Sequence, residues 1–435
     1  MSLLRKLFGY SEVIATPPDV RFGRFSDHYK SVWSRAALER AEQLFSEKKY
    51  TDSFRNFFDF LKNEEEDNVR YRTEQGVLQF EILQGSRSIR GTADARHFRA
   101  VSRIVRMDAS DEQFLHRFVF DNYRLRHCRF ALDPENYLSV VFDCPGSAAA
   151  PYKLYQALRE TALLADRLDD LLQSEFDLPL PPNEGTRTEL PRRERRIRID
   201  YVRREIESTL FRARTSALAA DYPGAFTYAL LHLCYKLDYL TKPEGYVSQQ
   251  IGEANARYFN RENSPMRVVN EQIIGHLDEI LRRSDAQLAD EFYRVRFTFG
   301  LTEPVTHERI ARMVRAELPR ADWYLENGYP EVALHMAGYL VGYALYHYAP
   351  PPADRELFHL FFRITEPEFC AQIGYSDTFS HAKQGLNAPA IRQELGRWRN
   401  RYRPVGITTA DLDTLDCSDL NTFALTYLAL LARYS

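Results

Sequence analysis

Hydrophobic spacing divides the chain into two regimes. Residues 34–48 carry Ala37, Leu38, Ala41, Leu44 and Phe45 on one helical stripe. A turn at 49–51 leads to a second stripe of Phe54, Phe57, Phe58, Phe60 and Leu61, which predicts an antiparallel helical hairpin. After the acidic run Glu64, Glu65, Glu66 and Asp67 the period switches to 2: Val69, Tyr71 and Thr73 alternate with Arg70, Arg72 and Glu74. The runs 77–83, 88–93 and 98–105 continue the alternation between Gly-containing turns and predict an antiparallel meander. A helix follows, with N-caps offered by Asp108, Ser110 and Asp111 and a stripe of Phe114, Leu115, Phe118, Val119 and Leu125. Strands are predicted at 128–132 and 137–142. A break at Pro145 and Gly146 then opens a long helix over about 151–175, with Leu154, Leu158, Leu163, Leu164, Leu168, Leu171 and Leu172 apolar.

Two resemblances attach to this pattern. In the hairpin, Ala41, Leu44, Tyr50, Ser53, Phe57 and Leu61 resemble one tetratricopeptide unit. The order helix, strands, helix, two strands, helix over about 50–176 resembles the YbjN and type III secretion chaperone-like group. The stretch RFALDPENYLSVVFDCPG, then PYKLYQALRETALLADRLDDLL with its late Ala165-Asp166-Arg167-Leu168, carries the likeness. The strand at 69–73 is additional to that pattern. The resemblance implies a small α+β domain without a catalytic motif, which pairs with a copy of itself and holds an extended client segment across its sheet. Edge-strand pairing or a helix in an apolar groove would be the physical means. Strands 77–83 and 137–142 are the expected contact region, and alternation leaves open which face is exposed.

Residues 177–193 hold four prolines and no helical stripe, as a domain boundary would. From about 199 to 435 the pattern is helical, punctuated by Pro and Gly every 15–25 residues. Tyr222-Pro223 and Tyr329-Pro330 each open an apolar helix with Pro at a first helical position. A degenerate tetratricopeptide-like array and a compact helical bundle both fit. The expected division is a tail at 1–25, a helical hairpin at 26–63, an α+β domain at 64–176, a Pro/Arg-rich linker at 177–198 and an all-α domain at 199–435. The fold class is therefore α+β followed by all-α.

Composition narrows the function classes. The 435 residues are 44% hydrophobic and 27% charged, with a formal net charge of -3, as in a folded chain that is not globally a nucleic-acid binder. The 49 Arg against 9 Lys read first as codon usage of a GC-rich genome. Five cysteines without a CxxC pair exclude a disulfide scaffold. No apolar run is long enough for a membrane span. Arg5 and Lys6 interrupt the N-terminal apolar residues, which argues against a signal peptide and for a cytoplasmic location.

The candidate chemistry is thin. The sequence contains no GxSxG, GxxxxGK[ST] or strand-linked GxGxxG. His232, His276, His307, His335, His347, His359 and His381 lack the short spacing of a metal site, so no metal or other cofactor is expected. His335, His347 and His359 remain candidate ligand residues for an enzyme or small-ligand site in the helical domain. Asp166, Asp169 and Asp170 share a helix face and read as solvated carboxylates, with acid–base or Mg²⁺ chemistry as the alternative. Arg195, Arg196 and Arg198, within the arginine-rich stretch 192–214, are candidate interaction residues. An acidic protein partner fits them at least as well as nucleic acid, because Glu194, Asp200, Glu205 and Glu207 interleave. The reading that results is a non-enzymatic, chaperone-like interaction protein with a protein or peptide client and a possible homodimer.

Overall fold

The computed structural model describes residues 18–23, 30–63, 67–107, 112–176, 186–297, 299, 302–376, 378–381, 385–405 and 412–434. The N-terminal turn at Arg5 and Lys6, the expected caps at 108–111 and the side chains of Asp169, Asp170 and His381 lie outside them. Among the described residues no helix is long and apolar enough to cross a membrane.

Helices α1 (Val32–Ser46) and α2 (Tyr50–Leu61) form the expected hairpin. Ser31 caps α1 by accepting from the Ser34 amide, and buried Ser53 donates to the Ala41 carbonyl at 2.7 Å. Six antiparallel strands follow: β1 (Val69–Glu74), β2 (Val77–Gln84), β3 (Arg87–Ala93), β4 (His97–Arg106), β5 (Arg129–Leu132) and β6 (Tyr137–Pro145). Helix α3 (Glu112–Asn122) lies between β4 and β5 in the chain, and α4 (Pro151–Phe176) follows β6. The sheet order is β1-β2-β3-β4-β6-β5. Gln75 and Gly76, both at positive φ, make the two-residue turn that joins β1 to β2 in register.

Alternation settles the two faces. Leu78, Phe80, Ile82, Ile89, Phe98, Ala100, Leu138, Val140 and Phe142 point to one side and are buried there with Phe54 and Phe58 of α2 and Leu154, Ala157 and Leu158 of α4. The rings of Phe58, Phe80 and Phe98 sit 4.6–6.3 Å apart. Gly91 belongs to this row, and a Cβ there would lie 2.1 Å from the Arg99 carbonyl and 2.3 Å from the Phe80 ring. Only glycine lets β3 pass this point.

The remainder is helical: α5 (Arg192–Thr215), α6 (Ala217–Asp221), α7 (Pro223–Thr241), α8 (Gly245–Phe259), α9 (Met266–Arg282), α10 (Asp285–Asp290), α11 (His307–Glu326), α12 (Pro330–His347), α13 (Pro352–Thr365), α14 (Pro367–Gln372), α15 (Ala388–Tyr402) and α16 (Leu420–Arg433). Helix α7 is buried from Ala225 to Thr241 on all sides, as an element with no polar face must be. It packs along α12, where Gly338 and Gly342 admit the His232 and Tyr235 side chains of α7.

The boundary differs from the expected linker at 177–198. Residues 187–189 form a short strand, β7 (Arg187–Glu189), on β8 (Tyr293–Val295), and α5 begins at Arg192. Helix α5 starts early because the guanidinium of Arg198 pairs with Glu194 one turn back, satisfying charge inside the first two turns. The two parts pack directly. Phe297 and Phe299 enter the core under the sheet, Gly85 donates to the Phe297 carbonyl at 2.8 Å, and the Phe299 amide donates to Gln84 Oε1.

Candidate functional site

The three candidate histidines are separate. His335 Nδ1 lies 3.4 Å from His232 Nδ1, between α12 and α7. His347 Nε2 lies 3.2 Å from Asn255 Oδ1, which also accepts from the Tyr235 hydroxyl at 2.7 Å. His359 Nδ1 lies 3.0 Å from the Tyr239 hydroxyl, with the Phe22 ring 4.9 Å from its own. His335 and His347 are twelve residues apart on one helix, about 18 Å at 1.5 Å per residue, so they cannot share one small ligand. Burial pushes His335 and His359 down to about 3 and His347 down to about 4, so all three are neutral at pH 7. Among the described residues no group of three or more His, Cys, Asp and Glu is placed to hold a metal ion.

Other polar clusters have structural partners. His307 Nδ1 sits 2.8 Å from Oδ1 of fully buried Asp354, and the Tyr434 ring stacks 3.9 Å from the imidazole. This pair ties α11, α13 and the end of α16 together, and no described serine, threonine or cysteine is hydrogen-bonded to the imidazole. The cysteines are free, and burial pushes the Cys128 and Cys234 thiols up to about 12, away from nucleophilic thiolate.

The three candidate arginines of the 192–214 stretch are also committed. Arg195 donates to Glu189 and to the Leu190 carbonyl. Arg196 bridges Asp200 and Asp285. Arg198, with its side chain 4% exposed, pairs with Glu194 at 2.6 Å and bonds the Thr241 carbonyl. Arg203 holds Asp285 and two carbonyls at the end of α9. These arginines fasten α5 to its neighbours; they do not form a free basic patch. Asp166 likewise does not lie on a solvated face. Its Oδ1 accepts from the Ser86 amide at 2.9 Å and its Oδ2 from Gln84 Nε2 at 3.0 Å, so α4 holds the β2–β3 turn. Gly85 sits at φ +52 directly beneath this carboxylate, where a Cβ would lie 1.7 Å from Oδ1.

A concave feature lies on the sheet face turned away from α2 and α4. A groove of about 900 Å³ runs over β1–β4 toward the β5–β6 turn. The strand register puts its side chains in two rows: Arg70, Glu81, Arg90 and Val101 across four strands, then Arg72, Gln79, Thr92 and Arg99. Six arginines and two carboxylates line it. Arg90 pairs with Glu81 at 2.9 Å, and Arg70 with Asp67 at 2.5 Å. Arg103 pairs with Asp133 at 2.7 Å and lies over the Tyr137 ring at 4.6 Å. Asp67 is held below the usual carboxylate range by the hydrogen bond from Arg70. Arg99 is exposed and bonds no described residue; Asp143, its cross-strand neighbour, is taken by Arg129.

The candidate residues taken from sequence include none of this lining, although strands 77–83 and 137–142 were the expected contact region with the exposed face left open. The signal existed as arginines at positions 70 and 72, and 99 and 103, in period-2 runs, where such spacing puts both members of a pair on one face. What was missing is the cross-strand register that joins the pairs. Comparison with protein-family models and with curated proteins found no match to this chain.

Proposed function

We propose that the protein is a non-enzymatic interaction protein that holds an extended segment of another polypeptide against the outer face of its sheet. The observation that carries this reading is the groove over β1–β4, wide, concave and lined by guanidinium groups, on a sheet whose other face is fully packed. Except along the outer edge of β1, its backbone groups are already paired within the sheet, so recognition on this face works through side chains, and the two rows of alternating residues would fix the register of a bound strand. The resemblance of residues 50–176 to the secretion chaperone-like group supports the same reading.

The test is site-specific photocrosslinking in the host cell. The full chain carries p-benzoylphenylalanine at Val101, half-buried in the groove, or at Trp323, exposed on α11. Crosslinks to peptides of other proteins from position 101 and not from position 323 are expected. Equal labelling from both, or none from 101, overturns the proposal.

Pairing with a second copy belongs to the same proposal and is placed at α3. Val119 (68% exposed) and Phe120 (61%) on α3 and Tyr123 (93%) just after it are exposed apolar side chains, α3 packs on edge strand β5, and Leu132 of β5 is exposed too. Phe120→Asp is expected to convert a dimer to a monomer in sedimentation velocity. A wild-type chain that is monomeric at tens of micromolar removes this part.

A further inference from the structure

We infer that the groove selects an acidic segment, one bearing two or more Asp or Glu side chains in extended conformation. This rests on the proposed use of the outer sheet face and names the chemistry of what it binds.

Charge complementarity is the first argument. The lining has six arginines against Glu81 and Asp133, with Asp67, Glu74 and Glu135 paired to them at the rim, which leaves a positive excess centred on Arg99 in a chain whose formal net charge is -3. A local field opposed to the net charge focuses anionic groups into the concavity. Arginine adds geometry, because its planar fork accepts a carboxylate at two points.

The second argument is vacancy of the right kind. Arg70, Arg72, Arg90 and Arg103 are each oriented by a neighbour within the sheet, at 2.5–3.2 Å. These contacts orient the guanidinium groups, and Arg70, Arg72 and Arg103 each carry five N–H donors, more than these contacts engage. Arg99 stands among them with no partner among the described residues. A carboxylate arriving at Arg99 displaces only water.

Spacing gives the third. Arg72 and Arg99 lie in one cross-strand row, three strand steps apart, which is about 14 Å at the usual strand separation. In an extended chain, side chains at i and i+4 face the same way about 13 Å apart. A segment crossing the strands with acids at i and i+4 therefore reaches both. Nucleic acid fits less well. Single strands stack bases on aromatic platforms, and here Tyr137 is the aromatic of the outer rows, already covered by Arg103. Glu74, Glu135 and Asp143 flank the groove and would repel any anionic chain continuing past it, which a short segment with a few acids avoids and a continuous phosphate backbone does not.

The experiment uses the full chain and fluorescence anisotropy with three labelled probes. One is a ten-residue Gly/Ser peptide with Asp at every second position; the second is its Asn counterpart; the third is single-stranded oligo-dT of equal charge. The Asp peptide is expected to bind and the Asn peptide not, with binding weakened about tenfold when salt rises from about 50 to 300 mM. Arg99→Glu should weaken the Asp peptide by at least about tenfold, and Glu81→Gln should tighten it by a few-fold. Both substitutions sit on the exposed face, and an unchanged thermal melt confirms that they fold. Tighter binding of oligo-dT, equal binding of the two peptides, or indifference to Arg99→Glu overturns the inference. If crosslinking from position 101 persists while the Asp peptide fails, the acidic chemistry is wrong and the groove stands. If both fail, the proposed function falls with it.

Discussion

At the scale of single residues, Lys236 is a cation buried in the helical core. It lies on the all-buried helix α7, with Nζ 2.6 Å from Glu205 on α5 and 2.8 Å from Glu366 at the end of α13. Burial alone would lower the lysine and raise the carboxyls. The contacts to Glu366 and Glu205 outweigh burial at Lys236, which is held above its usual range, and Lys236 with Arg204 holds Glu205 below its own. Removing the cation leaves Glu366 without its lysine and Glu205 with Arg204 alone, both in a largely buried site. Lys236→Met is therefore expected to cost about 3–5 kcal/mol by urea unfolding, and Lys236→Met with Glu205→Leu and Glu366→Leu to recover most of that loss. A triple variant no better than the single one would show that shape, not charge, sets the cost. The sequence places a lysine inside TYALLHLCYKL but not its partners, which are 31 and 130 residues away.

At the scale of elements, legibility followed the range of the interactions. The hairpin, the meander, the β5–β6 pair and α4 were readable to within two or three residues, because turns and alternation are local and strong. Strand β7 was not readable: three residues of polar sequence pair as a strand with β8, more than a hundred residues on. The role of Asp166 was equally hidden, since its partners Gln84 and Ser86 are 82 and 80 residues away. The α7–α12 contact belongs to the same class and yields a paired prediction. A Cβ at Gly338 would sit 2.2 Å from the His232 ring, which is buried and has nowhere to move. Gly338→Ala is expected to destabilise by about 1–3 kcal/mol. Gly396, within α15, has no atom within 4 Å of the same position, so Gly396→Ala should stabilise by about 0.5–1 kcal/mol through helix propensity. Thermal melts of the two variants moving in the same direction would refute the close approach of α7 and α12.

At the scale of the whole molecule, burial of neutral histidines makes stability depend on pH. His232, His335, His347 and His359 are all pushed below their usual value chiefly by burial. The unfolded chain binds protons at these sites below about pH 6.5, while the folded chain refuses them until about pH 3–4 at the three residues with defined values. Their contribution is thus fully present above pH 6.5 and is lost as pH falls, by at most about 1.4 kcal/mol per pH unit per residue. Glu291 works in the opposite sense. Burial raises it to about 7 against the bonds from the Val247 and Tyr246 amides, so its contribution is present below about pH 4.5 and is lost as pH rises through 7. With several histidines against one carboxyl, the net expectation is a urea midpoint that falls steeply from pH 7 to pH 5. Glu291→Gln separates the two terms: it should match the wild type near pH 4.5 and exceed it at pH 8, where the wild type holds a buried carboxylate, by up to about 3 kcal/mol. If the two curves instead run parallel across that range, Glu291 titrates as an ordinary carboxyl, and the α8 N-terminus that it faces must be open to water.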